Sequence, residues 1–171
     1  PGHASIFTGT TPSTHGIIAN NWYDKKAKKS VYCAGDGKMH TVCNCEEEQK
    51  DVGSEEGKMS PHHMLTTTIG DELQLFKSDN KVIGISLKDR GAILSAGHSA
   101  DAAYWMNSDG DWITSSFYMN DLPTWLVNYQ KEKNALYYLQ GNWKMKNSFN
   151  YNLDSLFASK GGGAIKSTPY G

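Results

Sequence analysis

From Val82 to Leu87 the chain reads Val82-Ile83-Gly84-Ile85-Ser86-Leu87, an unbroken and mostly apolar run of strand length. A strand with one wet face alternates apolar and polar residues, whereas one covered by helices on both faces is continuously apolar. Upstream, Leu65, Ile69, Leu73 and Phe76 recur at helical spacing. Ser60 suits the cap of that helix, Pro61 its first position, and Asp79-Asn80 its end. An amphipathic helix leading into a buried strand predicts an α/β fold, a mainly parallel sheet flanked by helices.

Other elements decorate this frame. Ala4–Thr8 predicts a short helix ending at Gly9. Asn20-Asn21-Trp22-Tyr23-Asp24 and Ser30-Val31-Tyr32-Cys33 flank a lysine-rich turn and predict a hairpin with a basic, solvated tip. Ala103–Met106 and Trp112–Thr114 predict a second hairpin around Asn107-Ser108-Asp109-Gly110-Asp111. Residues 34–58, with Glu46-Glu47-Glu48 at their centre, predict a mobile loop. Asn120 or Asp121 is positioned to cap a helix through Trp125, Leu126 and Tyr129. Residues 131–163 are polar and aromatic without clear period, and predict loop with short helices. Gly161-Gly162-Gly163 lacks the Lys-Ser/Thr of a phosphate cradle.

At 171 residues the chain suits one domain or an incomplete part of a larger one. Its formal net charge of −1 provides no field for nucleic acid or an anionic membrane. No apolar run approaches the roughly 20 residues that span a bilayer. An anionic partner must therefore be held by a few placed groups. Cys33, Cys43 and Cys45 allow a disulfide from Cys33 to one of the other two, or free thiols. Cys-Asn-Cys is not a zinc-knuckle spacing.

Lys88 and Arg90 are the leading candidates for chemistry. They sit two apart just past the carboxyl end of the apolar strand, where open α/β sheets bind ligands. Arginine presents a fork that fits phosphate oxygens, and lysine adds a point charge. An ion pair with Asp89 or Asp101, or simple solvation, accounts for the same residues. Asn20 and Asn21 can donate amide hydrogens to a phosphoryl oxygen, or merely make a turn. The histidines His3, His15, His40, His62, His63 and His98 are scattered and form no zinc-protease spacing. No Gly-x-Ser-x-Gly elbow is present.

Pro1-Gly2-His3-Ala4-Ser5-Ile6-Phe7-Thr8-Gly9, Pro12, His15-Gly16-Ile17 and Asn20-Asn21-Trp22-Tyr23-Asp24 resemble the type I phosphodiesterase/nucleotide pyrophosphatase family of the alkaline phosphatase superfamily. Met59-Ser60-Pro61, Met64–Ile69, Gly84–Gly91, Ala96-Gly97-His98, Ala102–Trp105 and Thr168-Pro169-Tyr170-Gly171 resemble its bacterial phosphate-insensitive alkaline phosphatases. That resemblance implies an alkaline-phosphatase-like catalytic domain, of which residues 1–171 form a part. The nucleophilic Thr or Ser is expected just before Pro1, and the ligands of two zinc ions outside the chain, with none expected to bind here. Asn20, Lys88 and Arg90 correspond to the family's phosphate-binding residues, and the Lys-x-Arg pair marks its monoesterase branch. It further implies a small phosphate monoester as substrate, a covalent phospho-enzyme, and a periplasmic or secreted location. A nucleotide pyrophosphatase or phosphodiesterase is the alternative within the family, and a non-catalytic phosphate-binding module the alternative outside it. A piece of a larger sheet is also expected to leave exposed edges, open to self-association.

Overall fold

The computed structural model describes residues 1–44 and 55–132. Residues 1–132 form one unit. The expected loop and short helices of 131–163 lie, past Glu132, outside the described residues, as do the glycine turn and the centre of the 34–58 loop.

The chain opens on helices α1 (Gly2–Thr8) and α2 (Pro12–His15). Each ends on a left-handed glycine, Gly9 at φ 67° and Gly16 at φ 81°, as a tight helix exit requires. The lysine-rich hairpin forms as expected. Strand β1 (Asn21–Asp24) pairs antiparallel with β2 (Lys29–Tyr32), with Asn21 opposite Tyr32. Asp24 closes its tip by accepting from the amides of Lys26 and Ala27.

A four-stranded mixed sheet follows, in the order β3 (Thr41–Val42), β6 (Trp112–Ser115), β5 (Ala102–Met106), β4 (Ile83–Ile85). β4 and β5 are parallel, while β6 runs antiparallel to both of its neighbours. The α/β class therefore stands, with one parallel pair in a mixed sheet among the described residues. Between β4 and β5 the chain crosses over through helix α4 (Asp89–Ala96), whose Ala92, Ile93, Leu94 and Ala96 are buried. This βαβ unit places the first turn of α4 at the carboxyl end of β4. Gly84 permits the close approach: a Cβ there would strike the Ala92 carbonyl and lie 2.8 Å from the Ala96 Cβ. The β5–β6 hairpin also forms where expected, and Asn107 Oδ1 accepts from the Asp109 and Asp111 amides in its turn.

Helix α4 forms where the sequence reading placed no helix, and two further helices start elsewhere than expected. The first, α3, runs Ile69–Phe76 and does not begin at Ser60-Pro61. Thr68 makes a reciprocal capping box with Asp71, while the Ser60 hydroxyl is drawn to Asp36 at 2.6 Å. Three consecutive threonines, Thr66 to Thr68, disfavour helix before that cap. The second, α5, runs Thr124–Lys131 and starts after Pro123 rather than at Asn120 or Asp121. A residue before proline is pushed out of the helical region, so Leu122 cannot lie inside the helix.

The apolar run also behaves differently. Gly84 is buried, but Ile83 (54%), Ile85 (63%) and Leu87 (68%) are exposed. On α3, Ile69 and Phe76 are likewise exposed and Asp71 is buried. The core lies instead between α4, the β5–β6 hairpin and the α1–β1 region. It includes Ala4, Ile17, Cys33, Ala34, Ile93, Trp105 and Ile113. Cys33 is a buried free thiol, whereas Cys43 is disulfide-bonded, which excludes the Cys33 bridge. The reason is placement, since Cys33 is enclosed in this core.

Candidate functional site

The βαβ crossover carries Lys88 and Arg90 to one place. Lys88 is the cap residue of α4 and Arg90 lies in its first turn. Lys88 is exposed, and among the described residues its ammonium has no partner. The Asp101 carboxylate is taken by Lys81 at 2.7 Å, so it is not the partner of Lys88 or Arg90. Arg90 is half-buried and lies 4.0 Å from Asp89.

The closest tie of Arg90 comes from the hairpin. Tyr32, the last residue of β2, donates its hydroxyl hydrogen to Asp89 Oδ1 at 2.8 Å. The same hydroxyl oxygen accepts from Arg90 Nη1 at 3.3 Å. A phenol has one hydrogen and two lone pairs, so both bonds coexist. Burial, and then the Asp89 carboxylate, push the Tyr32 phenol well above its usual range despite the opposing guanidinium. It thus stays a donor to Asp89. In return, the Tyr32 hydrogen bond raises the Arg90 pKa, against burial, which lowers it. Among the described residues, the other guanidinium hydrogens of Arg90 carry no hydrogen bond.

Asn20 reaches the same region along the backbone. Its carbonyl accepts from the Cys33 amide at 2.9 Å, directly beside Tyr32. The Asn20 side chain is exposed and has no partner among the described residues. Burial raises the Cys33 thiol, Asp89 adds to the rise, and Arg90 opposes it. Helix α1 packs on α4. The backbone of Asn20 and the side chain of Arg90 thus both bond to the Tyr32–Cys33 segment, while Lys88 is exposed two residues before Arg90. Sequence reasoning missed Tyr32, whose contacts lie 57 and 58 residues away along the chain.

The histidines take other places. His15 is buried, accepts from the Ile17 amide at Nδ1 and bonds Ser5 Oγ through Nε2. Burial holds it below its usual pKa, and so neutral. His62 and His63 stack beside Trp22. Among the described residues no group of three or more His, Cys, Asp or Glu side chains is placed to hold a metal ion. Those residues therefore do not fit a metal centre. A separate groove is lined by Met64, Leu65, Thr67, Asp71, His98 and Ser99, and includes none of the phosphate-binding candidates. No helix among the described residues is long and apolar enough to cross a membrane.

Residues 1–162 match the family described as type I phosphodiesterase / nucleotide pyrophosphatase. The chain belongs to this family. It is 42% identical over 146 residues to alkaline phosphatase PhoV of Synechococcus elongatus, covering 83% of this chain and 25% of PhoV. It is 42% identical over 147 residues to a Myroides odoratus protein named calcium-transporting ATPase, covering 84% of this chain and 25% of that protein. Alkaline phosphatase PafA of Elizabethkingia meningoseptica is 39% identical over 144 residues, or 83% of this chain and 25% of PafA. The wild-type PafA crystal structure superposes with a TM-score of 0.76 at 38% identity, over 85% of this chain and 27% of that one. A second PafA structure, with a threonine changed to serine and an asparagine, a lysine and an arginine changed to alanine, also superposes at 0.76, with 36% identity and the same coverage. The chain thus spans about a quarter of the length of the curated relatives it matches.

Proposed function

We propose that this chain is the phosphate-binding part of an alkaline-phosphatase-type phosphomonoesterase, with Asn20, Lys88 and Arg90 as its phosphate ligands. The observation that carries the reading is the pair Lys88 and Arg90 at the start of α4. Both cations stand at the end of a parallel strand; Lys88 has no carboxylate partner among the described residues, and the Arg90–Asp89 ion pair, at 4.0 Å, is too long to take up the guanidinium hydrogens. A monoester dianion has one more charged oxygen than a diester, so two added cations favour it. Asn20 supplies a neutral donor to an oxygen that both ester classes possess. The PafA variant with an asparagine and a Lys-x-Arg pair replaced supports the same three residue types.

In this reading the phosphoryl group passes to a hydroxyl nucleophile outside the described residues, forming a phospho-enzyme that water then hydrolyses. The two zinc ions implied by the family resemblance would be held by residues other than those described, and would supply Lewis-acid chemistry. The same resemblance favours a periplasmic or secreted enzyme. The family description also covers diesterases, and substrate comparison separates the two. In the full-length polypeptide, Arg90→Ala should lower kcat/KM for an aryl phosphate monoester by about 100-fold, and for the matching methyl diester by less than about 5-fold. Equal losses on both esters would sink the monoesterase reading.

A further inference from the structure

We propose that Tyr32 is a positioning residue for Arg90, locking the hairpin that follows Asn20 to the helix that carries the Lys-x-Arg pair. The inference rests on the reading of Arg90 as a phosphate ligand and deepens it.

Three observations support it. The Tyr32 hydroxyl lies 2.8 Å from Asp89 Oδ1 and 3.3 Å from Arg90 Nη1, between neighbouring residues of α4. Asp89 fixes which way the hydroxyl hydrogen points, and so turns a lone pair of the oxygen toward Arg90. The 4.0 Å gap between Asp89 and Arg90 is too long for a hydrogen bond, so Tyr32 bridges what the two residues do not join directly. Tyr32 is also opposite Asn21 in the hairpin register, one residue from Asn20. One phenol thereby sets the spacing between two phosphate-binding candidates that come from distant parts of the chain.

The arrangement has a chemical logic. A carboxylate paired directly with Arg90 would take up the fork and cancel charge needed for a dianion. A neutral phenol occupies one guanidinium hydrogen and holds Asp89 at 4.0 Å, where it pairs with the charge without taking up the fork. Arginine has several rotatable bonds, and holding it in one orientation before substrate arrives removes an ordering cost from binding.

The test uses full-length enzyme and the two aryl esters, monoester and methyl diester. Tyr32→Phe keeps the ring and deletes only the bridging hydroxyl. It should lower monoester kcat/KM by about 10-fold and leave diester kcat/KM within about 2-fold, with thermal unfolding little changed. In an Arg90→Ala background, adding Tyr32→Phe should change monoester turnover by less than about 2-fold, because the group it positions is gone. Equal losses on both esters, full additivity with Arg90→Ala, or no effect of Tyr32→Phe would each overturn the positioning role. Arg90→Ala alone reports on the underlying reading. If it is selective for the monoester while Tyr32→Phe is silent, only the role of Tyr32 fails. If it is unselective, the phosphate-ligand reading fails, and the positioning role with it.

Discussion

Asp71 shows how much one buried carboxylate can organise. It is 2% exposed and accepts from the Thr68 amide and hydroxyl and from the Ser99 amide and hydroxyl. Burial alone would raise its pKa, yet the Thr68 and Ser99 hydrogen bonds outweigh burial and hold it below the usual carboxylate value. The sign of the stability effect follows. A carboxylate depressed in the folded state contributes stability above its unfolded pKa, and loses it as pH falls through the folded one. Wild-type protein should therefore lose stability relative to Asp71→Asn as pH falls below the ordinary aspartate range, by urea denaturation at several pH values. An unchanged difference across that range would refute the linkage. Near neutral pH, Asp71→Ala should cost about 2 kcal/mol, since it strands the buried donors of Thr68 and removes both Ser99 bonds.

At the scale of elements, the βαβ unit depends on a close contact of β4 with α4. Gly84 faces the Ala92 carbonyl and the Ala96 Cβ, both parts of the helix that presents Arg90. Gly84→Ala should destabilise the protein by about 1–3 kcal/mol in thermal unfolding, because backbone on the far side cannot step aside. No change in midpoint would show that α4 shifts freely. Of this unit only the strand was legible, from its apolar run; the helix Asp89–Ala96 was not expected from the sequence, because its buried face is made mostly of small residues such as Gly91, Ala92 and Ala96. Both hairpins were legible, through Asp24 with its lysine tip and through Asn107 with Gly110. The start of α3 was not. Ser60-Pro61 has the local chemistry of a helix start, but the Ser60 hydroxyl is bonded to Asp36, 24 residues away, and Thr68–Asp71 forms the true cap. The site divides the same way. Lys88 and Arg90 follow from strand position, whereas Tyr32 enters only when β2 meets α4.

At the scale of the whole molecule, the apolar residues that the sequence assigns to a core are in part on the surface. Leu65, Ile69, Leu75 and Phe76 are 70–87% exposed, and Ile83 and Ile85 lie on β4, an edge strand among the described residues. Val82 lies against Gly70, so the α3 and β4 groups adjoin. Side chains with helical and strand periodicity are patterned to be covered, and the relatives are about four times longer than the matched span. Among residues 1–132, therefore, the pattern does not record burial. An open strand edge beside exposed isoleucines favours pairing with another copy. The isolated 171-residue chain should accordingly associate as concentration rises, and Ile85→Lys with Phe76→Lys should reduce that association, both read by light scattering after size-exclusion chromatography. In the full-length polypeptide, where these side chains would be covered, the same two substitutions should instead destabilise folding. A monodisperse monomer for the isolated chain at every concentration would show that residues 1–171 satisfy these faces unaided, and would remove the argument for a covering segment.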